Sequence, residues 1–123
     1  MLLVGLAGGG FWSFLRGPQC VSGDCEDGCG VRLQPGVFRY EGCFQNGRAH
    51  GQGAFELLAT GESYSGQWRH GNKHGRGIYV YTNGTEYEGE WEDNQRQGQG
   101  TLRSSETGAV IYSGLWQADE RRP

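Results

Sequence analysis

Two of the three histidines have a residue type and a spacing that invite a catalytic interpretation. His50 and His74 each directly precede a glycine, Gly51 or Gly75, and Gln97 takes the same place further along the chain. A catalytic histidine needs its own set of partners, whereas a residue that recurs within a regular pattern usually serves that pattern. We therefore expect these rings to hydrogen-bond near a loop backbone and not to catalyse a reaction.

Other signatures of catalysis or of phosphate binding do not occur in the chain. The sequence contains no G-x-S-x-G, H-E-x-x-H or P-loop motif. The segment Gly71–Gly77 is rich in glycine, but no helix is expected after it to offer a phosphate-binding N-terminus. The sequence thus predicts a protein that is not an enzyme and that uses no cofactor.

The four cysteines form a second group with chemical potential. Cys20, Cys25, Cys29 and Cys43 all lie in the first third of the chain, separated by four, three and thirteen residues. This spacing lacks the C-x-x-C pairs typical of zinc sites, although metal ligands and a disulfide pair both remain open. We expect reduced thiols in an intracellular protein, with no bound metal.

The net charge and the positions of the charged residues help to distinguish between possible binding partners. The net charge of −3 argues against a nucleic-acid partner, because phosphate contacts need a basic surface. Four basic residues in neighbouring loops, Arg48, Arg69, Lys73 and Arg76, are candidates for binding anionic lipid headgroups. The acidic segment 86–93 works against such a membrane contact, and ordinary solvated loops are the alternative.

The composition indicates which elements carry these side chains. Of 123 residues, 24 are glycine and only 3 are proline. Each interior glycine costs a helix roughly 1 kcal/mol relative to alanine, so a helical domain is not expected. The glycines therefore mark turns, or strands that another group approaches closely.

An internal repeat organises the chain from residue 40 onward. The pattern Tyr-x-Gly-x-Trp, once with Phe for Trp, occurs at Tyr40–Phe44, Tyr64–Trp68, Tyr87–Trp91 and Tyr112–Trp116. The middle glycines lie 24, 23 and 25 residues apart, and the first three copies continue into a Gly-x-Gly. Four such blocks indicate one structural unit used repeatedly.

Each copy predicts a β-hairpin. Side chains alternate between the two faces of a strand, so Tyr87, Gly89 and Trp91 share one face while Glu88 and Glu90 take the other. Asn46-Gly47 and His70-Gly71 predict turns within hairpins, and Asn83-Gly84 predicts a two-residue turn between them. The fold class is therefore all-β, a single-layer twisted antiparallel meander of seven or eight strands.

The repeat resembles the MORN repeat (membrane occupation and recognition nexus). Tyr64–Gly77 is close to that pattern, Tyr40–Gly53 has Phe44 in place of Trp, and Tyr87–Gly100 has Asn94 in place of Gly. The resemblance implies a cytoplasmic scaffold or adaptor that holds protein partners or tethers assemblies to membranes or to the cytoskeleton. Similar arrays also accompany lipid kinases and lysine methyltransferases.

The repeat sets the expected segment boundaries. They are a glycine-rich apolar arm, flexible or capping, at 1–27, a degenerate partial repeat at 28–39, repeats at 40–63, 64–86 and 87–111, a partial repeat at 112–116 and a polar tail at 117–123.

The aromatic face of the predicted sheet is the main candidate site, because a single-layer sheet has no second layer to cover it. Its residues are Tyr40, Phe44, Tyr64, Trp68, Tyr79, Tyr87, Trp91, Tyr112 and Trp116. An apolar surface of this size would receive a partner helix or an extended peptide. The alternative is that the rings form only the sheet's own core. Strands with unpaired edges at the two ends would allow homodimers.

Overall fold

The computed structural model describes residues 17–123, and within this range ten antiparallel strands form one sheet. They are β1 (Gln19–Gly23), β2 (Cys29–Gln34), β3 (Phe38–Gln45), β4 (Arg48–Leu57), β5 (Ser63–Arg69), β6 (Asn72–Val80), β7 (Thr85–Glu92), β8 (Gln95–Ser104), β9 (Val110–Gln117) and β10 (Glu120–Arg121). The strands follow one another in the sheet in chain order. The predicted all-β meander is confirmed.

The two ends of the sheet lie outside the segments in which the repeat is readable. β1 falls within the predicted arm 1–27 and pairs with β2, while residues 1–16 lie outside the described residues. β10 falls within the predicted polar tail and pairs with β9. These two strands raise the count above the seven or eight expected. Residues 17–123 contain no helix with the length and apolar character that a membrane span requires.

Pairs of glycines face each other at the centre of every repeat. Gly42 pairs with Gly53, Gly66 with Gly77, and Gly89 with Gly100, and the register of each hairpin shifts directly after its pair. At two of these shifts a side chain takes over a backbone hydrogen bond. Gln67 Oε1 accepts the N–H of Arg76 at 2.7 Å, and Glu90 Oε1 accepts the N–H of Gln99 at 2.6 Å.

Two-residue turns close the hairpins within repeats. Both turn residues have positive φ at Asn46-Gly47 (52° and 76°), His70-Gly71 (50° and 85°) and Asp93-Asn94 (45° and 70°), as a type I′ turn requires. The turns that the sequence predicts within hairpins, at Asn46-Gly47 and His70-Gly71, are confirmed. Successive turns also stack, because the N–H of Gly71 donates to the carbonyl of Ala49 at 2.8 Å.

The connection between β6 and β7 differs from its prediction. Asn83-Gly84 was expected to form a two-residue turn, which is wrong: residues 81–84 separate the strands and only Gly84 has a positive φ, at 86°. The Asn83 side-chain oxygen instead accepts the Thr85 N–H at 3.1 Å and its hydroxyl at 2.6 Å. This local side-chain capping replaces the backbone geometry of a type I′ turn.

The four cysteines form two disulfides, Cys20–Cys25 and Cys29–Cys43, so the expectation of reduced thiols is wrong. Cys29 and Cys43 lie directly opposite each other in the β2–β3 register, with their Cα atoms 3.8 Å apart. Their separation along the chain carried no sign of this, because the pairing depends on the register of two strands. The two disulfides therefore cross-link the N-terminal end of the sheet.

Candidate functional site

Tyrosine and tryptophan rings alternate in an unbroken zigzag along one face of the sheet. Tyr64 lies 5.0 Å from Trp68 and 5.4 Å from Trp91, and Tyr87 lies 5.1 Å from both Trp91 and Trp116. All four contacts are edge-to-face, the arrangement that the quadrupoles of aromatic rings favour. Each hairpin therefore packs its tyrosine against the aromatic ring of its own repeat and that of the next.

Hydrogen bonds to the backbone hold the tyrosine and tryptophan rings of the repeat motif in place. The Tyr64 hydroxyl donates to the Gln67 carbonyl at 2.8 Å, and Trp91 Nε1 donates to the Gly77 carbonyl at 3.2 Å. A Cβ atom at Gly77 would collide with the Tyr64 ring. The same two bonds recur for Tyr40, Tyr87 and Tyr112 and for Trp68 and Trp116. The paired glycines thus leave the space that the tyrosine rings occupy against the backbone.

Burial of these rings changes their acid–base properties. Desolvation raises the pKa of Tyr40 and of Tyr87 to about 12. The pKa of Tyr79 is also raised, by burial first and then by its hydrogen bond to Glu62. All three hydroxyls stay protonated at neutral pH and act as hydrogen-bond donors.

Two thirds of the predicted binding residues lie in the interior of the aromatic face. Tyr40, Phe44, Tyr64, Tyr87, Trp91 and Trp116 are buried. These six rings serve as the core of the sheet. Trp68, Tyr79 and Tyr112 are partly exposed, so fewer of the predicted residues are accessible than the sequence suggested.

Basic side chains cover two of the tryptophans, each from the strand that precedes the strand of the tryptophan. Lys73 Nζ lies 5.2 Å from the centre of the Trp91 ring, and Arg96 Cζ lies 4.5 Å from that of Trp116. Each occupies the second position after its turn. This regularity is present in the sequence but lies outside the Tyr-x-Gly-x-Trp motif. Cation–π contacts of this kind add to the burial that the aliphatic stems provide.

Ala49 interrupts this pattern. It occupies the position of Lys73 and Arg96 in the first full repeat, and its short side chain leaves Trp68 partly exposed, whereas Trp91 is 5 % and Trp116 is 2 % exposed. A groove of about 310 Å³ results, which we call the Ala49 groove. Its aromatic lining comprises Phe38, Tyr40, Phe44, Phe55, Tyr64, Trp68 and Tyr79.

Two cations, Arg32 and Lys73, also line the Ala49 groove. Arg32 lies 4.7 Å above the Phe44 ring and donates to the carbonyls of Gly47 and Cys25, both at 2.8 Å. Burial lowers the pKa of Lys73. Within residues 17–123 neither cation forms an ion pair with a carboxylate, so the groove is apolar and carries positive charge.

The four predicted lipid-binding residues do not share one surface. Arg48 and Arg69 are exposed beside the stacked turns, and Arg69 Nη1 lies 3.4 Å from His74 Nε2. Lys73 instead lies over the aromatic rings, and Arg76 lies opposite Glu90 in the register of β6 and β7.

The acidic residues on β7 are less isolated than the sequence suggested. Arg103 Nη1 lies 3.2 Å from a carboxylate oxygen of Glu86 and 3.1 Å from one of Glu88. Cross-strand pairing therefore offsets part of the negative charge that was expected to repel a membrane.

The histidine positions hold neighbouring turns together. His50 Nδ1 accepts the N–H of His70 at 3.3 Å, and Gln97 Oε1, at the equivalent position, accepts the N–H of Ala118 at 2.9 Å. The predicted hydrogen bond to a loop backbone is confirmed for His50. His74 occupies the same position in its repeat, but its buried Nδ1 has no hydrogen-bond partner within residues 17–123.

Comparison with known proteins agrees with this geometry. The MORN repeat matches residues 40–56, 64–86 and 87–106. Alsin from Mus musculus and from Rattus norvegicus is 34 % identical over 101 residues, and Alsin from Homo sapiens is 33 % identical over the same length. Each alignment covers 76 % of this chain and 6 % of the relative, so the chain spans a small part of the length of these relatives. The chain belongs to the MORN-repeat family.

Proposed function

We propose that the chain is a non-catalytic binding module of a scaffold or adaptor, which holds a helix or an extended segment of a protein partner on its aromatic face. The observation that carries the proposal is the Ala49 groove, where Trp68 is partly exposed although the tryptophans of the next two repeats are buried. A partner segment in the groove would cover Trp68, as Lys73 and Arg96 cover the tryptophans of the next two repeats.

The physical properties of the Ala49 groove support this role. Its lining is mainly aromatic, and tryptophan and tyrosine at the centre of an interface often dominate the binding energy. Three of the rings, Tyr40, Tyr64 and Trp68, are already fixed by hydrogen bonds to the backbone, such as the 3.1 Å bond from Trp68 Nε1 to the Gly53 carbonyl. Little conformational freedom would therefore be lost when a partner binds.

A pair of matched substitutions tests the proposal. Ala49→Arg restores the basic residue of the later repeats and fills the groove, whereas Ala54→Arg places the same side chain at an exposed position on the other face of β4. We expect Ala49→Arg to abolish capture of a protein partner from native cell extract and Ala54→Arg to leave it unchanged. Equal capture by both variants and the wild type would refute binding in the groove.

A membrane tether that binds anionic phospholipid is a second candidate, supported by the exposed Arg48 and Arg69 beside the stacked turns. It predicts sedimentation with phosphatidylserine vesicles at low salt that Arg48→Ala with Arg69→Ala removes. Ala49→Arg would leave sedimentation intact under this function, which separates the two candidates. No sedimentation of the wild type at low salt would dispose of it.

A further inference from the structure

We infer that the Ala49 groove selects an acidic partner segment, in which a large apolar side chain enters the groove and a neighbouring carboxylate pairs with Lys73. The inference rests on the proposed function and adds the chemistry of the partner to it. The shape of the groove, its charge and a difference between two turns carry the argument.

The shape of the groove is set by the side chain that is missing there. In the later repeats the aliphatic stems of Lys73 and Arg96 extend across a tryptophan, and at Ala49 that volume is open. The walls are aromatic carbon, so the space accepts the body of a leucine, methionine or phenylalanine side chain. A small polar side chain would leave the wall of Trp68 uncovered.

The charge of the groove excludes a basic partner. Arg32 and Lys73 line it and no carboxylate does. Glu62, near the far end, already accepts the Tyr79 hydroxyl at 2.7 Å. A carboxylate from a partner would gain from both cations, and the partial desolvation of Lys73 would strengthen that interaction, whereas a lysine or arginine would be repelled.

A difference between two equivalent turns leaves Lys73 without a carboxylate at ion-pair distance, and Asp119 acts on it only from farther away. Arg96 donates its backbone N–H to Asp119 Oδ1 at 2.8 Å, and its guanidinium pairs with the same oxygen at 2.9 Å. Lys73 donates its backbone N–H to Asn94 Oδ1, also at 2.8 Å. Asn94 therefore keeps the backbone contact but supplies no charge, so a carboxylate that pairs with Lys73 would have to come from a partner.

Random-peptide phage display against the whole chain tests the inference. Peptides that bind the wild type and not Ala49→Arg are selected, with Ala54→Arg as the control for the added charge. We expect the selected peptides to share a large apolar residue next to an aspartate or a glutamate. Selected peptides that are neutral or basic would overturn the inference while the proposed function stands. If no peptide distinguishes the wild type from Ala49→Arg, both fail.

The Asn94→Asp substitution then isolates the charge. It is nearly isosteric, and Asp119 already adopts the same positive φ at the equivalent position, 69° against 70°. An aspartate there would neutralise Lys73 within the chain, so we expect about tenfold weaker binding of the selected acidic peptides by fluorescence polarisation. The same peptides with glutamine for glutamate, or asparagine for aspartate, should bind both proteins alike. Unchanged affinity of the acidic peptides for Asn94→Asp, with the fold intact by circular dichroism, would overturn the pairing.

Discussion

The ammonium of Lys73 lies 5.2 Å from the centre of the Trp91 ring and reaches it from the neighbouring strand. The contact has an apolar part, the aliphatic stem, and a charged part, the ammonium above the ring. The two parts can be separated by substitution, because methionine keeps most of the stem and removes the charge.

Lys73→Ala should lower the free energy of unfolding by about 1–2 kcal/mol, because it removes both the cover over Trp91 and the cation–π contact. Lys73→Met should lose less than half of that amount. Urea unfolding followed by far-UV circular dichroism measures both values. Equal losses for the two variants would show that the ammonium, and not the stem, provides the stabilisation.

Ala49→Arg should change the environment of Trp68 as well as partner binding. The arginine would cover the ring as Arg96 covers Trp116, so we expect lower quenching of tryptophan fluorescence by acrylamide and about 0.5–1 kcal/mol of added stability. Ala54→Arg, on the opposite face, should alter neither quantity. A gain in stability for Ala54→Arg of the same size would indicate a general charge effect.

Gly77→Ala should be among the most damaging small substitutions in the sheet. The added methyl group would collide with the Tyr64 ring, and we expect a loss of about 3 kcal/mol from overpacking and from the displaced tyrosine. Gly61→Ala is the control, because a Cβ atom there meets open space although its φ is 83°. Its cost should be about 1 kcal/mol, from the left-handed backbone alone. Thermal unfolding compares the two variants.

The fold should lose stability above pH 10. The pKa of Tyr40 and of Tyr87 is raised to about 12 in the folded state, so the folded protein holds these protons more tightly than the unfolded chain. Their stabilising contribution is complete below pH 10 and is lost as the pH rises from 10 to about 12. Lys73, whose pKa is lowered by burial, acts in the opposite direction, so the Lys73→Met variant should show the decline more steeply.

Urea unfolding at a series of pH values, with tyrosine ionisation followed by ultraviolet absorbance, checks this expectation. Complete ionisation of tyrosine near pH 10 with an unchanged circular dichroism spectrum would contradict it.

The two disulfides should be detectable by peptide mapping without reductant, with the pairs Cys20–Cys25 and Cys29–Cys43. Loss of the second pair through Cys29→Ser with Cys43→Ser should cost about 3 kcal/mol, because it opens a loop with a sequence separation of 14. The shorter Cys20–Cys25 loop should contribute less. Any other pairing would contradict the β2–β3 register.

The repeating part of the fold can be predicted from the sequence, because each repeat carries the alternation and the turn residues of a β-hairpin. Tyr64, Gly66 and Trp68 alternate with polar residues, and the turn residue Asn94 stands where other repeats have glycine. The ends were less accessible: β1 pairs through its register with β2 and carries no repeat motif.

The location of the groove at Ala49 could not be predicted from the sequence either. The groove depends on Ala49 occupying a position where Lys73 and Arg96 lie over aromatic rings. The sequence shows the regular spacing of these residues, but their contact with the rings follows only from the pairing of the strands. The aromatic motif indicated the correct face of the sheet. Burial of rings such as Tyr87 depended on the zigzag packing between repeats, which alternation within one strand cannot specify.

The edge-to-face contact of each ring with its two neighbours has a consequence for how the protein unfolds. Every strand of the described sheet contacts the strands next to it in sequence, so cooperativity passes along the array from one repeat to the next. The disulfide Cys29–Cys43 ties the N-terminal end, whereas β10 has only two residues. Unfolding should therefore begin at β9 and β10 and travel toward the Ala49 groove, and a partner bound there would act as a stop that shelters the first repeats.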